Sequence, residues 1–312
     1  MERSTTIGDL RGRVRSWRAA GRSIGFVPTM GALHEGHLAL VRLAAQHADA
    51  VVVSIFVNPT QFDRADDLAA YPRDLAGDER ALAELGAAAP AVVFAPDGPE
   101  IYPHDPLTTV SVARLGEHLC GASRPGHFDG VATVVTKLLA IVDPDLAVFG
   151  RKDRQQLQVV RQLVADLNLP VEIVAGPTVR ERDGLALSSR NRRLGPEDRA
   201  RALTLSQALR AGVTAAQQAR RAGREVLPAA VKQAASVPLR ADGVDLDYLE
   251  VVDARTLQPT AAAICAARPA VLAVAAEVAG VRLIDNVELG DAADEARLMA
   301  ASDPGAATGA AG

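Results

Sequence analysis

Short apolar segments alternate with amphipathic helical patterns through the first half of the chain, and this alternation constrains the fold more than any other feature. Each segment is four to seven residues long and contains valine. Apolar strands separated by helices are typical of a parallel sheet that helices cover on both faces. We therefore predict an α/β fold with a Rossmann-like, doubly wound parallel sheet. The predicted strands are Ile24–Val27, Ala50–Phe56, Ala91–Phe94, Leu146–Phe149 and Val171–Val174, and the predicted helices are Leu38–His47, Leu75–Leu85, Val131–Ile141 and Gln155–Leu167.

The pattern changes after about residue 178, which predicts a second, smaller α+β domain. A long alanine- and arginine-rich helical pattern begins at Pro196, a residue suited to the first turn of a helix. Strand-like segments follow, and the last two are expected to pair through a turn around Gly280. We place a first domain at residues 1–178, a second at 179–290 and a disordered tail at 291–312, because the tail is rich in alanine, glycine and aspartate.

Composition and charge narrow the classes of protein to which the chain can belong. The formal net charge is −4, whereas a nucleic-acid surface usually needs a strong basic excess. The N-terminus carries no apolar signal core, and no run of 18 apolar residues occurs anywhere. The two cysteines are expected to be reduced thiols. We predict a cytoplasmic protein that binds neither nucleic acid nor membrane.

Three polar segments directly follow predicted strands, and the fold brings them together. Ligands of open α/β sheets bind outside the carboxyl ends of the strands. Residues 28–37, 57–62 and 150–156 each occupy such a position. We therefore expect these three segments to form one rim.

The segment from Phe26 to His37 predicts a nucleotide-phosphate site. A strand here passes through Gly31 to the start of a helix, where free N–H groups and the helix dipole attract anions. His34 and His37 are three residues apart and add imidazole donors at that point. Zinc ligation and purely structural histidines are the competing interpretations. Zinc would need further ligands, and neither cysteine lies in a CxxC motif.

The other two segments predict a second anion site and a set of neutral amides. Residues 150–153 follow a strand and open a helix, which places the Lys152 ammonium where it can contact phosphate. The competing interpretation is that these residues are a run of solvated charges at the start of a helix. This interpretation suits the neighbouring arginines better than it suits Lys152. Asn58, Gln61 and Gln156 carry amides that can bind hydroxyl groups, although surface solvation is the usual fate of a glutamine.

These motifs together resemble the pantothenate synthetase family, in the family's own order along about residues 1–290. A His-x-Gly-His core alone would indicate only the wider nucleotidylyltransferase and class I aminoacyl-tRNA synthetase superfamily. The set that carries the resemblance is Pro28-Thr29-Met30-Gly31-x-Leu33-His34-x-Gly36-His37, Val57-Asn58-Pro59-Thr60-Gln61-Phe62, Tyr71-Pro72-Arg73-Asp74, Phe94-Ala95-Pro96, Arg124-Pro125-Gly126-His127-Phe128-x-Gly130-Val131, Phe149-Gly150-Arg151-Lys152-Asp153-x-Gln155-Gln156 and Arg180-Glu181-x-Asp183-Gly184-Leu185-Ala186-Leu187-Ser188-Ser189-Arg190-Asn191. The family usually carries an aromatic or small residue where Arg154 stands, which leaves the packing at that position open.

The resemblance implies roles for particular residues. The implied catalytic residues are His34, His37, Lys152, Ser188, Ser189 and Arg190. The implied ATP-binding residues are Met30, Gly31, His34, Gly36, His37, Gly150, Arg151, Lys152, Asp153, Val179, Leu187, Ser188, Ser189 and Arg190. The implied substrate-binding residues are Asn58, Gln61 and Gln156. Residues 187–190 look like this family's counterpart of the loop that closes over ATP in class I synthetases.

The resemblance also implies a reaction, in which ATP drives the condensation of pantoate with β-alanine through a pantoyl-adenylate, releasing AMP and pyrophosphate. Magnesium is expected to neutralise the triphosphate, without a protein metal motif; Asp78 is one candidate acidic residue. Members of the family are homodimers, which we carry over as an expectation. Two alternatives stay open: another small-molecule nucleotidylyltransferase, and a catalytically silent ATP-binding protein.

Overall fold

The computed structural model describes residues 1–301 as two compact units. The first unit contains residues 1–117 and 124–176, and the second contains residues 118–123 together with the chain from residue 177 onward. The observed division therefore lies two residues before the predicted boundary. The sequence had not indicated that residues 118–123 belong with the second unit.

The first unit is built on a six-stranded sheet whose paired strands are all parallel, in the order β1-β4-β3-β2-β5-β6. The strands are β1 (Glu2–Ser4), β2 (Ile24–Thr29), β3 (Ala50–Ile55), β4 (Val92–Phe94), β5 (Leu146–Gly150) and β6 (Glu172–Gly176). The predicted α/β class is confirmed, together with all five predicted strands. The short edge strand β1 was not predicted.

Helices connect these strands and bury apolar side chains against the sheet. They are α1 (Ile7–Ala19), α2 (Glu35–His47), α3 (Ala65–Ala70), α4 (Leu75–Ala83), α5 (Gly98–Ile101), α7 (His127–Val142) and α8 (Arg154–Asp166), with α6 (Cys120–Ser123) in the second unit. Successive residues of β2 enter different apolar clusters: Phe26 packs with α1, α7 and α8 residues, and Val27 packs with α2 residues. Both side chains are fully buried, as expected for a sheet covered on both faces.

The second unit packs helices against a three-stranded antiparallel sheet in the order β7-β8-β9. Its elements are α9 (Pro196–Arg221), α10 (Pro228–Ser236), β7 (Asp245–Asp253), β8 (Ala270–Val278), β9 (Val281–Leu289) and α11 (Ala292–Ala300). The predicted hairpin is confirmed, with Val278 paired to Val281. Ala279 and Gly280 between them have φ of 49° and 74°, the left-handed pair that a tight hairpin turn requires.

Helix α11 stands where the sequence predicted the start of a disordered tail. The Asp291 side chain caps the helix by accepting hydrogen bonds from two backbone amides. Leu298 is 2% exposed, and the Glu295 carboxylate accepts from the Gly290 amide and pairs with Arg220 at 2.8 Å. These contacts offset the ordering entropy that the small side chains of the segment could not offset alone. Residues 302–312 of the predicted tail lie outside the described residues.

Within residues 1–301, every helix is too short or too polar to span a lipid bilayer.

Candidate active site

The turn between β2 and α2 is held in shape by a buried carboxylate. Gly31 and Ala32 both have positive φ, 78° and 50°, so the chain reverses sharply here. The Asp78 carboxylate, 5% exposed, accepts from the Ala32 amide at 2.9 Å and from the Leu33 amide at 2.7 Å. Asp78 lies on α4, at least 45 positions after Ala32 and Leu33 in the sequence. Its carboxylate accepts from two backbone amides that have no partner within the turn itself.

A cavity of about 270 Å³ lies beside this turn. The lining includes Met30, Gly31 and Asp78, together with residues from the Tyr71–Asp74 and Phe94–Pro96 motifs: Pro72, Arg73, Asp74, Ala95 and Pro96. These two motifs contribute to the family resemblance, but the sequence did not assign them a function. Both motifs therefore lie at the same cavity as the β2–α2 turn.

His34 and His37 form a reciprocal cap at the start of α2. The His34 Nδ1 accepts from the Gly36 amide at 3.2 Å, and the His37 Nδ1 accepts from the His34 amide at 3.4 Å. The rings are stacked with their centroids 4.1 Å apart. Because Nδ1 is an acceptor in both rings, each neutral imidazole carries its proton on Nε2. In its neutral form, the His37 ring therefore has its single N–H donor at Nε2.

The His37 ring is neutral at physiological pH. Desolvation, followed by the neighbouring His34, lowers the pKa of His37 from 6.5 to about 3, and the charge of Lys152 acts in the same direction. The close packing of a second imidazole and a cation makes the neutral form the stable one. His37 is thus arranged as a hydrogen-bond donor.

The end of β5 brings the second anion-binding segment to His37. Gly150 ends the strand, and Arg151–Asp153 form a 3₁₀ turn that leads into α8. Lys152 is partly exposed and close enough to His37 to influence its pKa, as is Asp153. The structure therefore brings the His34–His37 and Gly150–Asp153 segments together, as the sheet topology predicted. Arg154 is buried at 8% exposure as the first residue of α8.

The two adjacent glutamines at the start of α8 have different surroundings. The Gln155 side chain is 5% exposed and donates to the Leu115 carbonyl at 2.6 Å. The Gln156 side chain is partly exposed and makes no hydrogen bond to any residue within 1–301. Of this pair, Gln156 has its amide available to a ligand.

The Asn58 amide is saturated by its neighbours. Its Nδ2 donates to Gln61 Oε1 at 3.1 Å and to the Gly130 carbonyl at 3.2 Å. Its Oδ1 accepts from Thr60 Oγ1 at 3.0 Å and from the Tyr102 hydroxyl at 3.1 Å. An amide has two donor hydrogens and two acceptor lone pairs. No group of Asn58 remains for a substrate, so its geometry departs from the substrate contact that the resemblance implied.

Asn58 fixes the direction of the Gln61 amide instead. Because two hydroxyl groups donate to Asn58 Oδ1, the Asn58 atom that faces Gln61 must be Nδ2, which is a donor. Its partner must therefore be the acceptor of the Gln61 amide, Oε1. Gln61 Nε2 then lies 3.0 Å from Met30 Sδ, a weak acceptor, and its other N–H is available. Gln61 is 9% exposed. It therefore presents a buried N–H donor to any ligand at the rim.

Helix α7 lies unusually close to the Gln61 segment. Gly126, with φ of 78°, turns the chain into the helix. A Cβ at Gly130 would lie 2.3 Å from the Thr60 carbonyl oxygen, so only glycine permits this approach. The Arg124–Val131 motif thus supports the 3₁₀ turn Pro59–Gln61.

The remaining predicted residues lie in the second unit. The Leu187 amide donates to the Val179 carbonyl at 3.0 Å, and Ser188 Oγ accepts from the Arg190 amide at 3.3 Å. Ser188 caps the 3₁₀ turn Ser189–Arg193, in which Ser189 is 8% exposed. The Arg180–Asp285 ion pair, at 2.6 Å and with both side chains buried, fastens the start of this loop to β9.

Within residues 1–301, no group of three or more His, Cys, Asp or Glu side chains could hold a metal ion. Asp78, a candidate from the sequence, directs both carboxylate oxygens at backbone amides.

Comparison with known proteins shows one family over most of the chain. The family model described as pantoate-β-alanine ligase matches residues 2–288. A pantothenate synthetase from Chelativorans is 52% identical over 282 residues, which cover 90% of this chain and 95% of that protein. One from Myxococcus xanthus is 49% identical over 294 residues, covering 94% and 98%.

Solved structures resemble the chain over nearly its whole length. A pantothenate synthetase from Thermus thermophilus superposes with a TM-score of 0.83 at 43% identity, covering 93% of this chain and all of that one. A pantoate-β-alanine ligase from Francisella tularensis, complexed with β,γ ATP and β-alanine, has a TM-score of 0.73 at 34% identity, covering 92% and 97%.

Proposed function

We propose that this chain, which belongs to the pantoate–β-alanine ligase family and is an ATP-dependent ligase of pantoate and β-alanine, works through a pantoyl-adenylate intermediate. The pantoate carboxylate attacks the α-phosphorus of ATP, and pyrophosphate leaves. The β-alanine amine then attacks the acyl carbon, and AMP leaves as pantothenate forms. Each half transfers one group, and neither needs a covalent bond to the enzyme.

Several donors at the start of α2 and α8 support binding of the phosphates. His34 and His37 accept hydrogen bonds at Nδ1, which leaves Nε2 as the N–H position of each neutral ring, and Lys152 carries a positive charge close to His37. Met30 and Gly31 follow the end of β2, and Gly36 lies in the first turn of α2. Gly150 ends β5, and the turn Arg151–Asp153 follows it. Donors that are already oriented stabilise the charge that builds up on the leaving pyrophosphate. We assign this role to His37 and Lys152 in particular.

Neutral amides next to these donors support binding of the hydroxy acid. Gln61 presents an ordered N–H, and Gln156 has an unengaged amide. Amides can bind the hydroxyl groups of pantoate and leave its carboxylate free to attack phosphorus. The observation that carries the proposal is this juxtaposition of phosphate-type donors and ordered neutral amides at one edge of the sheet. A nucleotidylyltransferase acting on a phosphate ester would require cations in place of the amides.

The loop in the second unit supplies the remaining proposed contacts to ATP. We assign Val179 and Leu187 to the nucleotide and Ser188, Ser189 and Arg190 to its phosphates. Two hydroxyl groups beside a guanidinium suit phosphate oxygens. Closure of this loop over ATP would protect the adenylate from hydrolysis.

Magnesium, a homodimer and a cytoplasmic location complete the proposal. The described residues contain no acidic cluster for a metal, so the fitting arrangement is an ion carried mainly by the triphosphate. When bound, magnesium neutralises phosphate charge.

The test is exchange of labelled pyrophosphate into ATP. Exchange should require pantoate and proceed without β-alanine, because adenylate formation is a separate reversible step. Lys152→Ala should lower the exchange rate about 100-fold or more. Lys232→Ala, at a lysine of the second unit that pairs with Glu250, should leave the exchange rate unchanged. Exchange that needs β-alanine would refute the intermediate. ATP binding without any exchange would indicate a silent ATP-binding protein.

Calorimetry tests the amides separately. Gln61→Ala and Gln156→Ala should weaken pantoate binding about tenfold each and leave ATP binding unchanged, because a buried partner loses its hydrogen bond. The exposed Gln46→Ala is the matched control. An equal loss of affinity for ATP and for pantoate would show that both glutamines belong to the nucleotide site.

A further inference from the structure

The proposed function assigns no role to Arg124 and His127, which lie in the Arg124–Val131 motif. Both side chains reach the same atom, the backbone carbonyl oxygen of Gln61. The His127 Nδ1 lies 2.7 Å from that oxygen, and the Arg124 Nη2 lies 3.1 Å from it. Arg124 is itself fixed by Asp63, with Nη2 at 2.8 Å from the carboxylate.

The hydrogen bonds of His127 determine its tautomer. A carbonyl oxygen can only accept, so Nδ1 must carry the proton. Arg124 Nη1 lies 3.3 Å from Nε2 and is a donor, so Nε2 must be the acceptor. The ring is therefore a neutral Nδ1–H tautomer, opposite to the Nε2–H form of His34 and His37.

Burial and the Arg124 charge keep this ring neutral. Together they lower the pKa of His127 from 6.5 to about 4, against weaker opposing effects of the hydrogen bond to the Gln61 carbonyl and of the Asp153 and Asp63 charges. A proton on Nε2 would face a guanidinium. The hydrogen bond to Gln61 thus has one fixed direction throughout the neutral pH range.

We propose that Arg124 and His127 are positioning residues that hold the Gln61 main chain, so that its amide meets the hydroxy-acid substrate. Their hydrogen bonds hold the backbone of Gln61, while Asn58 holds the side chain from the other direction. Residue 61 is the last of a three-residue 3₁₀ turn, which has little stiffness of its own. This inference rests on the proposed role of Gln61 in pantoate binding.

Steady-state kinetics and calorimetry on three histidine variants test the inference. His127→Ala should raise the KM for pantoate about tenfold, with ATP binding unchanged, since loss of one buried hydrogen bond shifts the Gln61 donor. His127→Asn should recover most of this loss, because its amide N–H can still donate to the Gln61 carbonyl. His104→Ala, at an exposed histidine, is the control.

A spectroscopic readout covers the case in which His127→Ala does not fold. Nitrogen-15 labelling of the six histidines of the wild-type protein should give an Nδ1–H signature that disappears in His127→Asn. An Nε2–H tautomer at His127, or an unchanged KM for pantoate in folded His127→Ala, would overturn the inference. Wild-type protein that shows no pantoate-dependent exchange would instead refute the proposed function.

Discussion

Replacement of Gly130 by alanine tests how strongly catalysis depends on the approach of α7 to the Gln61 segment. The new Cβ would lie 2.3 Å from Thr60 O, 2.6 Å from Thr60 C and 2.8 Å from Gln61 N. Ordinary contact begins at 3.4 Å, so the shortfall at the oxygen is about 1.1 Å (3.4 − 2.3). All three atoms are backbone and cannot rotate away. The helix and the turn must therefore separate by about 1 Å.

This separation should affect substrate use more than folding. A shift of this size typically costs about 100-fold in rate when it moves a positioning group, so we expect kcat/KM for pantoate to fall by that factor. Overpacking costs about 1–3 kcal/mol of folding free energy, and the better helix propensity of alanine returns up to about 1 kcal/mol. The variant should remain folded, with a thermal midpoint lowered by a few degrees.

The matched control is Gly12→Ala, which places the same methyl group in helix α1 with no atom within 4 Å. It should leave kinetics unchanged and raise the thermal midpoint slightly. Both variants are measured by pantoate-dependent pyrophosphate exchange, ATP titration and thermal unfolding. A Gly130→Ala enzyme with a kcat/KM for pantoate within twofold of wild type would show that the close approach does not position Gln61.

Three further predictions follow from other contacts. Asp78→Asn should weaken ATP binding about tenfold, because the asparagine side chain has only one oxygen to accept from the two backbone amides of the turn. Asp66→Asn, at an exposed aspartate, is the control and should bind ATP like the wild type in the same titration. Truncation after Gly290 should lower the thermal midpoint by several degrees, because the buried contacts of Leu298 and Glu295 are lost. Leu298→Ala should lower the free energy of unfolding in urea by about 2–5 kcal/mol. Unchanged unfolding midpoints in both variants would show that α11 does not contribute to stability. The pKa values of His37 and His127 are lowered in the folded protein, so between pH 6.5 and about 4 only the unfolded chain protonates these two rings. The stability that the neutral rings contribute is therefore fully present above pH 6.5 and decreases as the pH is lowered below 6.5. Urea unfolding should show a loss of up to about 1.4 kcal/mol per pH unit and per histidine, reduced in His127→Asn, and a flat profile would contradict the neutral rings.

The sequence determined the sheet, because burial on both faces leaves a local trace. β2 and β3 are apolar at nearly every position, and the helices beside them carry apolar residues at helical spacing. The position of the histidine motif at a strand end then placed it on the rim. Helix α1 was not predicted, because arginines separate the apolar residues that repeat at helical spacing, which are Ile7, Leu10, Val14 and Trp17.

Tertiary structure decided what each polar side chain of the rim can do. Four amide side chains of the rim are similar as residue types but differ in their hydrogen bonds. All hydrogen-bonding positions of Asn58 are occupied, and Asn58 fixes the orientation of the Gln61 amide. The Gln155 amide is buried and donates to a carbonyl, whereas the Gln156 amide makes no hydrogen bond within residues 1–301. These differences come from partners 40 to 72 positions away, such as Leu115, Tyr102 and Gly130, whose proximity no local pattern encodes.

The same reason accounts for α11, which was predicted to be part of a disordered tail. An alanine-rich segment of nine residues is marginal as an isolated helix, and its sequence shows little to bury. Its order depends on Arg220 and on the Gly290 amide, which the fold places beside Glu295. Local periodicity determined where strands and helices form. Long-range contacts decided which side chains are held and which are left to bind, because hydrogen-bond partners are chosen by proximity in space.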